Sequence, residues 1–300
     1  MSLPRTLSAV ALAAALVSAQ ASCERPDTRT FESFVMGTAA WVTIAGASEA
    51  EAQQAADEVF RELHRIESVM STWKSSSELS RLNARSGEGP VSVSPELCAL
   101  VDSSLRYSRS TRGAFDATVR PLVLLWGFQG GTPRLPSPGA IDSARTLVGY
   151  GGIACDPASS TVALPRGAEI DFAGIAKGYA VDRGAAILAR RGIRNALVNL
   201  GGNIYAIGTC PGTRGWRIGV RDPRGGLGTV GAILLADAAV ATSGNYENYV
   251  EIDGARFGHL IDPRTGRPSD AVLSVTVVAP TALAEPIASS VSSARRYNSG

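Results

Sequence analysis

The chain has 300 residues, 45% hydrophobic and 19% charged, with 29 basic side chains against 27 acidic ones for a formal net charge of +2. With no long run of either sign, this balance excludes nucleic acid or a charged membrane surface as the principal partner. Glycine is abundant at 32 residues and aromatics are scarce at 6%, which suits many tight loops around a core of one large domain or two intimate subdomains.

Residues 1–21 read as an export signal. Arg5 supplies the positive start, residues 7–17 form an apolar run too short to span a bilayer, and Ala19-Gln20-Ala21 is a small-x-small cleavage site. The expected address is the periplasm or cell envelope. Cys23, just past that site, is a candidate for lipid attachment to the inner membrane, and residues 22–30 read as a linker. Cys98, Cys155 and Cys210 are an odd set without metal-type spacing and read as structural; an exported address permits a disulfide but does not require one.

Residues 31–44 begin as a strand interrupted by Met36-Gly37-Thr38. Residues 48–70 form the clearest helix. Ser48 can cap it with Glu51 at the reciprocal position, and Ala52, Ala55, Ala56, Val59, Leu63, Ile66 and Met70 make one apolar stripe. His64 lies among charged residues of that helix and reads as a solvated or packing residue. Met70-Ser71-Thr72-Trp73 follows, then residues 77–83, a polar loop leading into a short helix. Ser94-Pro95 opens another helix, ending near Gly113. After Gly113-Ala114-Phe115-Asp116 comes an apolar stretch over residues 119–128. Residues 130–139 read as an exposed loop rich in Pro and Gly, residues 140–148 as a short helix, and residues 161–164 as a strand.

Residues 170–178 turn from a strand into a helix through Gly174, and that helix continues over residues 176–191 until Gly192 stops it. Residues 195–200 read as a buried strand ending in Gly201-Gly202-Asn203. There the backbone can offer N–H groups to an anion, or simply turn. Further strands are expected over residues 216–220, 229–235, 239–242 and 272–278. Residues 241–268 alternate polar and apolar about Asp253-Gly254, the pattern of a hairpin, and carry His259, one of 2 histidines in the chain. No internal repeat is present.

Several residues can carry chemistry. Lys177 stands in a first helical turn as a point charge for a phosphate, or as an ordinary surface lysine. Asp171 can bind sugar hydroxyls, support a metal from behind its ligands, or cap the helix. Asp262 precedes Pro263 and can open a turn. Glu285 and Ser289 share one face at helical spacing and can hold a hard cation such as Mg²⁺ with backbone carbonyls. No Ser–His–Asp spacing, zinc pattern or dinucleotide fingerprint occurs.

Taken together, the motifs Met36-Gly-Thr, Met70-Ser-Thr-Trp, Ser77-Glu-Leu-Ser-Arg-Leu-Asn83, Gly113-Ala-Phe-Asp116, Leu125-Trp-Gly-Phe128, Gly174-Ile-Ala-Lys-Gly-Tyr-Ala-Val-Asp182, Val198-Asn-Leu-Gly-Gly-Asn203, Thr242-Ser-Gly244 and His259-Leu-Ile-Asp-Pro-Arg-Thr-Gly266 resemble the FAD:protein FMN transferases, the ApbE-type flavin transferases, in order and over roughly residues 34–289. The resemblance implies an α+β fold: two intimately packed α/β subdomains with mixed or antiparallel sheets, a domain over residues 31–289, and the active site between the subdomains. It implies a Mg²⁺-dependent, exported enzyme. The family splits the pyrophosphate of FAD, attaches FMN to a Thr or Ser of an acceptor flavoprotein and releases AMP. Acceptors carry an Asp-Gly-Ala-Thr-like motif, as in subunits of redox pumps. By motif match, Met36, Asp116, Asp171, Lys177, Asp182, Asn203, Thr242, Ser243, Gly244 and His259 should contact FAD. His259, Asp262 and Lys177 should act at the pyrophosphate, with His259 or Asp262 as proton acceptor. The metal should lie between a carbonyl of Gly174 or Ala173 and the side chains of Glu285 and Ser289.

This chain departs from the family in places. Glu285 stands where the family has Asp, Pro286 follows it, and Ala173 replaces a glycine. Residues 290–300 have the composition of a disordered or truncated tail where the family continues with a helix and a strand. One alternative is FAD hydrolysis to FMN and AMP, with water replacing the protein hydroxyl; the departures motivate a second, an exported FAD-binding protein without catalysis. Asp253-Gly254-Ala255-Arg256 ends without a hydroxyl, so the chain is not expected to flavinylate itself.

Overall fold

A computed structural model describes residues 27–224, 228–244, 249–269 and 273–284. The expected signal segment, Cys23, Glu285, Ser289 and the tail lie outside these residues. The first expected strand is a hairpin, β1 (Thr28–Val35) and β2 (Thr38–Ala45), and β1 starts within the segment read as a linker. Met36 and Gly37 both take positive φ (53° and 72°), the tight two-residue turn that matches strand twist. Helix α1 (Glu49–Met70) has both bonds of the Ser48–Glu51 capping box, and every residue of its apolar stripe is buried.

Ser77 caps α2 (Glu78–Ala84), and Ser94 caps α3 (Pro95–Ser110) beyond the short β3 (Val91–Ser92). Helix α4 (Arg120–Leu125) lies in the apolar stretch. Helix α5 (Pro138–Arg145) starts inside the expected loop, because Ser137 accepts the Ala140 N–H and Pro138 suits a first helical turn. Strands β4 (Ala154–Asp156) and β5 (Thr161–Ala163) complete a three-stranded sheet in the order β3-β5-β4.

Residues 170–172 are not the strand expected. Their main chain pairs with a side-chain amide instead: Asn83 accepts the Ile170 N–H and donates to its carbonyl, both at 2.8 Å. A bond from the Asp171 N–H to Ala117 O adds a third tie. From there the chain enters α6 (Ala176–Arg190), which Gly192 ends at φ 76°.

The remaining strands are β6 (Ala196–Leu200), β7 (Asn203–Ile207), β8 (Trp216–Arg221), β9 (Thr229–Leu235), β10 (Ala238–Gly244), β11 (Tyr249–Ile252), β12 (Ala255–Gly258), β13 (Ile261–Asp262), β14 (Arg267–Pro268) and β15 (Ser274–Ala279). A six-stranded antiparallel sheet runs in the order β1-β2-β6-β7-β10-β15. Its two faces are both covered, so β6 is buried at every position. Val42, Ile44, Val198 and Leu200 face the core shared with α1 and α6. Leu197, Ile204, Ala206 and Val240 face Trp216, Ile218 and Leu235 of the β8–β9 hairpin.

The first of these cores also takes in Leu97, Val101, Val162 and Phe172, so the helical region and the sheet share one continuous interior. Each fully buried Leu or Ile there contributes about 1.5–3 kcal/mol. A third cluster joins Trp126 and Ile141 to Ile252 and carries the β11–β14 region. Cys98 and Cys155 are free thiols inside the structure, their sulfurs 3.2 Å apart, and burial pushes the Cys155 thiol up to about 12.

Candidate active site

A cleft of about 1100 Å³ opens between the β11–β14 region and the α1, α4 and α6 ends. Of the residues singled out by sequence, Met36, Asp116, Asp171, Ala173, Gly174, Lys177, Ser243, His259 and Asp262 line it. They come from turns and strand ends scattered over the whole chain, and the cores just described hold them in register.

Each is positioned by a local cause. The Met36 N–H donates to Glu67 Oε1 at 3.0 Å, which fixes the β1–β2 turn over the end of α1. Asp116 is a clamp: Oδ1 accepts from the Thr118 backbone and hydroxyl at 2.9 and 2.7 Å, and Oδ2 accepts from the Tyr150 N–H at 3.0 Å. Asp171 accepts the Ala173 N–H at 2.7 Å and so shapes the turn into α6. Burial pushes its carboxyl up, against the pull of that N–H, the Arg120 charge and the Thr72 hydroxyl. No side chain caps α6, whose first turn presents Lys177 to the cleft.

Asp262 sits where β13 meets the turn to β14. Arg264 grips it with two guanidinium bonds, 2.9 Å to Oδ1 and 2.6 Å to Oδ2, and the Arg264 N–H adds a third at 2.9 Å. Burial alone would raise this carboxyl, but the Arg264 bonds and charge, with Arg145 farther off, hold it below its ordinary value. The hairpin expected about Asp253-Gly254 is β11–β12. Trp126 anchors the neighbouring turn, donating from Nε1 to Gly266 O at 2.9 Å and packing on Phe257 at 5.4 Å between ring centres. This accounts for the Leu125-Trp126-Gly127-Phe128 motif.

Four expected FAD contacts stand elsewhere. Asn203 closes a two-residue hairpin turn in which Gly201 and Gly202 both have positive φ. Their N–H groups are already used, by Ala39 O and Asn199 Oδ1, so this turn has none of those donors to offer an anion. Thr242 pairs across the sheet with Thr276, hydroxyl to hydroxyl at 2.8 Å, while Gly244 is buried opposite Ser274. Asp182 accepts the Ala282 and Leu283 N–H groups at 2.7 and 2.9 Å, holding the segment that runs into Glu285. Burial raises its carboxyl against those two bonds.

The sequence reading missed Thr72, Gln129 and Glu67 as part of the cleft wall. Gln129 and Thr72 meet across 57 positions of sequence at 2.9 Å, and no spacing pattern could signal that. Among the described residues, no group of His, Cys, Asp and Glu could by itself hold a metal ion. The expected metal ligands are all hard oxygens, which suits Mg²⁺. Of them, the structure places the Ala173–Gly174 backbone in the cleft wall beside Lys177.

Such a cleft can bind an extended, phosphate-bearing molecule: Lys177 offers positive charge, apolar walls offer a surface for rings, and His259 and Asp262 offer proton-handling groups. Comparison with known proteins gives the same direction. The model of the ApbE family matches residues 36–296. The chain is 33% identical over 290 residues to a FAD:protein FMN transferase of Salmonella typhimurium, covering 92% of this chain and 82% of that protein. It is 35% identical over 277 residues to one of Vibrio cholerae, covering 90% and 81%. In structure it resembles the ApbE protein of Thermotoga maritima (TM-score 0.85, 33% identity, covering 91% of this chain and 88% of that one). It also resembles the flavinyl transferase ApbE of Pseudomonas stutzeri in its apo form (TM-score 0.77, 31% identity, covering 88% and 83%).

Proposed function

The chain belongs to the ApbE family, and on that premise we propose that it transfers FMN from FAD to a Thr or Ser hydroxyl of an acceptor flavoprotein, releasing AMP. The observation that carries this reading is the convergence of Lys177, His259 and Asp262 on one cleft of about 1100 Å³. That volume lies just above the usual range of small-ligand pockets and suits a dinucleotide.

In the proposed reaction the acceptor hydroxyl oxygen bonds to the FMN phosphorus, the bridging P–O bond breaks, and AMP leaves. Little covalent work falls to the protein; alignment and charge neutralisation dominate such transfers. Lys177 binds the pyrophosphate. The hydroxyl proton passes to His259. Asp262 already accepts three hydrogen bonds from Arg264 and is held below its ordinary value, which makes it the weaker base and favours a role in fixing that turn. General-base help of this kind is usually worth about 10²–10⁴-fold. Mg²⁺, held by Glu285, Ser289 and a carbonyl of Ala173 or Gly174, would neutralise charge on the pyrophosphate. The signal-like first 21 residues support action outside the cytoplasm, in the periplasm or envelope.

The test separates the products. Incubated with FAD, Mg²⁺ and an acceptor bearing an Asp-Gly-Ala-Thr site, the chain should yield AMP and protein-bound FMN in equal amounts. AMP with free FMN would mean hydrolysis instead, and FAD bound without AMP would mean a binding protein.

A further inference from the structure

Gln129 directly follows the Trp126–Phe128 turn and is only 6% exposed in the cleft wall. Its nitrogen side is accounted for. Nε2 donates to Thr72 Oγ1 at 2.9 Å. That bond leaves the carbonyl oxygen facing away from Thr72. That oxygen, Oε1, is buried without a hydrogen-bond partner among the described residues.

A buried carbonyl without a donor is unfavourable and calls for a reason. Its place in the cleft wall supplies one, because a bound ligand can bring the donor. The neighbouring lining residues Val119, Val123 and Phe128 are apolar, a surface that suits a flat ring better than a polyol chain. We propose that Gln129 is a specificity-determining residue whose Oε1 accepts a hydrogen bond from a ring-edge N–H of the bound dinucleotide. FAD has two such edges, the flavin imide N3–H and the adenine 6-amino group. The inference rests on the reading of the cleft as an FAD site. A buried site built to meet a donor rejects the analogue that lacks it.

The experiment measures FAD binding to the wild-type chain and to Gln129→Met, which keeps length and apolar bulk but removes the acceptor. Each protein is titrated with FAD, with N3-methyl FAD and with the analogue carrying hypoxanthine in place of adenine; thermal unfolding checks that the variant folds. The expected result is a loss of about 5- to 100-fold for FAD on Gln129→Met. The wild-type chain should reject one of the two analogues by a similar factor. That same analogue should bind wild type and variant alike, and it identifies the ring edge. Unchanged FAD affinity in the variant, or an equal loss for FAD and both analogues, overturns the assignment. If the variant does not fold, the wild-type titrations decide: equal affinity for FAD and both analogues overturns it. A wild-type chain that binds no FAD overturns this inference and the functional reading together, whereas FAD binding with an unaffected variant overturns only this inference.

Discussion

Gly178 is the position where a single methyl group should disturb the catalytic end of the molecule. A Cβ there would stand 2.7 Å from the Ala282 carbonyl carbon and 3.0 Å from Leu283 N, and nearer still to the Ala282 oxygen. Backbone cannot yield as a flexible side chain does, so residues 282–283 must retreat from α6. Retreat stretches the two bonds by which Asp182 holds them, now 2.7 and 2.9 Å. Overpacking of this kind costs about 1–3 kcal/mol, and bonds to a charged group are worth about 1.5–3 kcal/mol each. Because retreat relieves the clash while weakening the bonds, the two do not add in full, and we expect Gly178→Ala to lose about 2–4 kcal/mol. That corresponds to a fall of roughly 4–16 °C in Tm for a domain of this size. The displaced segment runs directly into Glu285, so the Mg²⁺ concentration for half-maximal flavin transfer should rise several-fold even where the variant remains folded. Asp182→Asn should reproduce the Mg²⁺ effect, and the double variant should be little worse than Gly178→Ala, since both break one contact. Wild-type Tm and wild-type Mg²⁺ dependence in Gly178→Ala would refute the reasoning.

Three further outcomes follow from the site. Asp262 has a lowered carboxyl in the folded state, so its contribution is present above the ordinary carboxylate value and is lost as pH falls through the lower folded one. Urea unfolding from pH 7 to pH 3 should therefore show the gap between wild type and Asp262→Asn shrinking below about pH 4; a constant gap would contradict the ion-pair account. Trp126→Phe keeps the packing but loses the bond to Gly266 O. It should cost about 1 kcal/mol and raise KM for FAD with little change in kcat; unchanged KM would show that this bond does not position the β13–β14 turn. Asp116→Asn sets an amide N–H against donors of Thr118 or Tyr150. Unfolding should show a loss of about 1–3 kcal/mol with transfer retained at saturating FAD; a loss of kcat alone would instead give Asp116 a role in chemistry.

Local chemistry made much of the fold legible. The α1 cap and stripe, the Asp253-Gly254 hairpin and the Gly192 stop are set by residues adjacent in sequence. What escaped notice depends on partners far apart. Residues 170–172 have the apolar pattern of a strand, but Asn83 supplies their hydrogen bonds in place of a neighbouring strand. The interruption read at Met36-Gly37-Thr38 is a full chain reversal because Met36, a residue that rarely takes positive φ, does so here at 53°. In the cleft, Lys177, His259 and Asp262 were found because charged or titratable residues stand out in a sequence. Gln129 and Thr72 were not, because a neutral amide and a hydroxyl carry no signal until folding brings them together. Asp182 and Asn203 stand in equally conspicuous motifs, and in the structure their side chains hold backbone, Asp182 at Ala282 and Leu283 and Asn203 at Leu200.

Flavin fluorescence on a denatured acceptor tests the central claim most directly. The chain, FAD, Mg²⁺ and a small protein with an Asp-Gly-Ala-Thr site are mixed, denatured and separated by size. Transfer predicts a fluorescent acceptor band that disappears with chelator and with replacement of the acceptor Thr by Ala. An acceptor that stays dark while the folded chain binds FAD would contradict it.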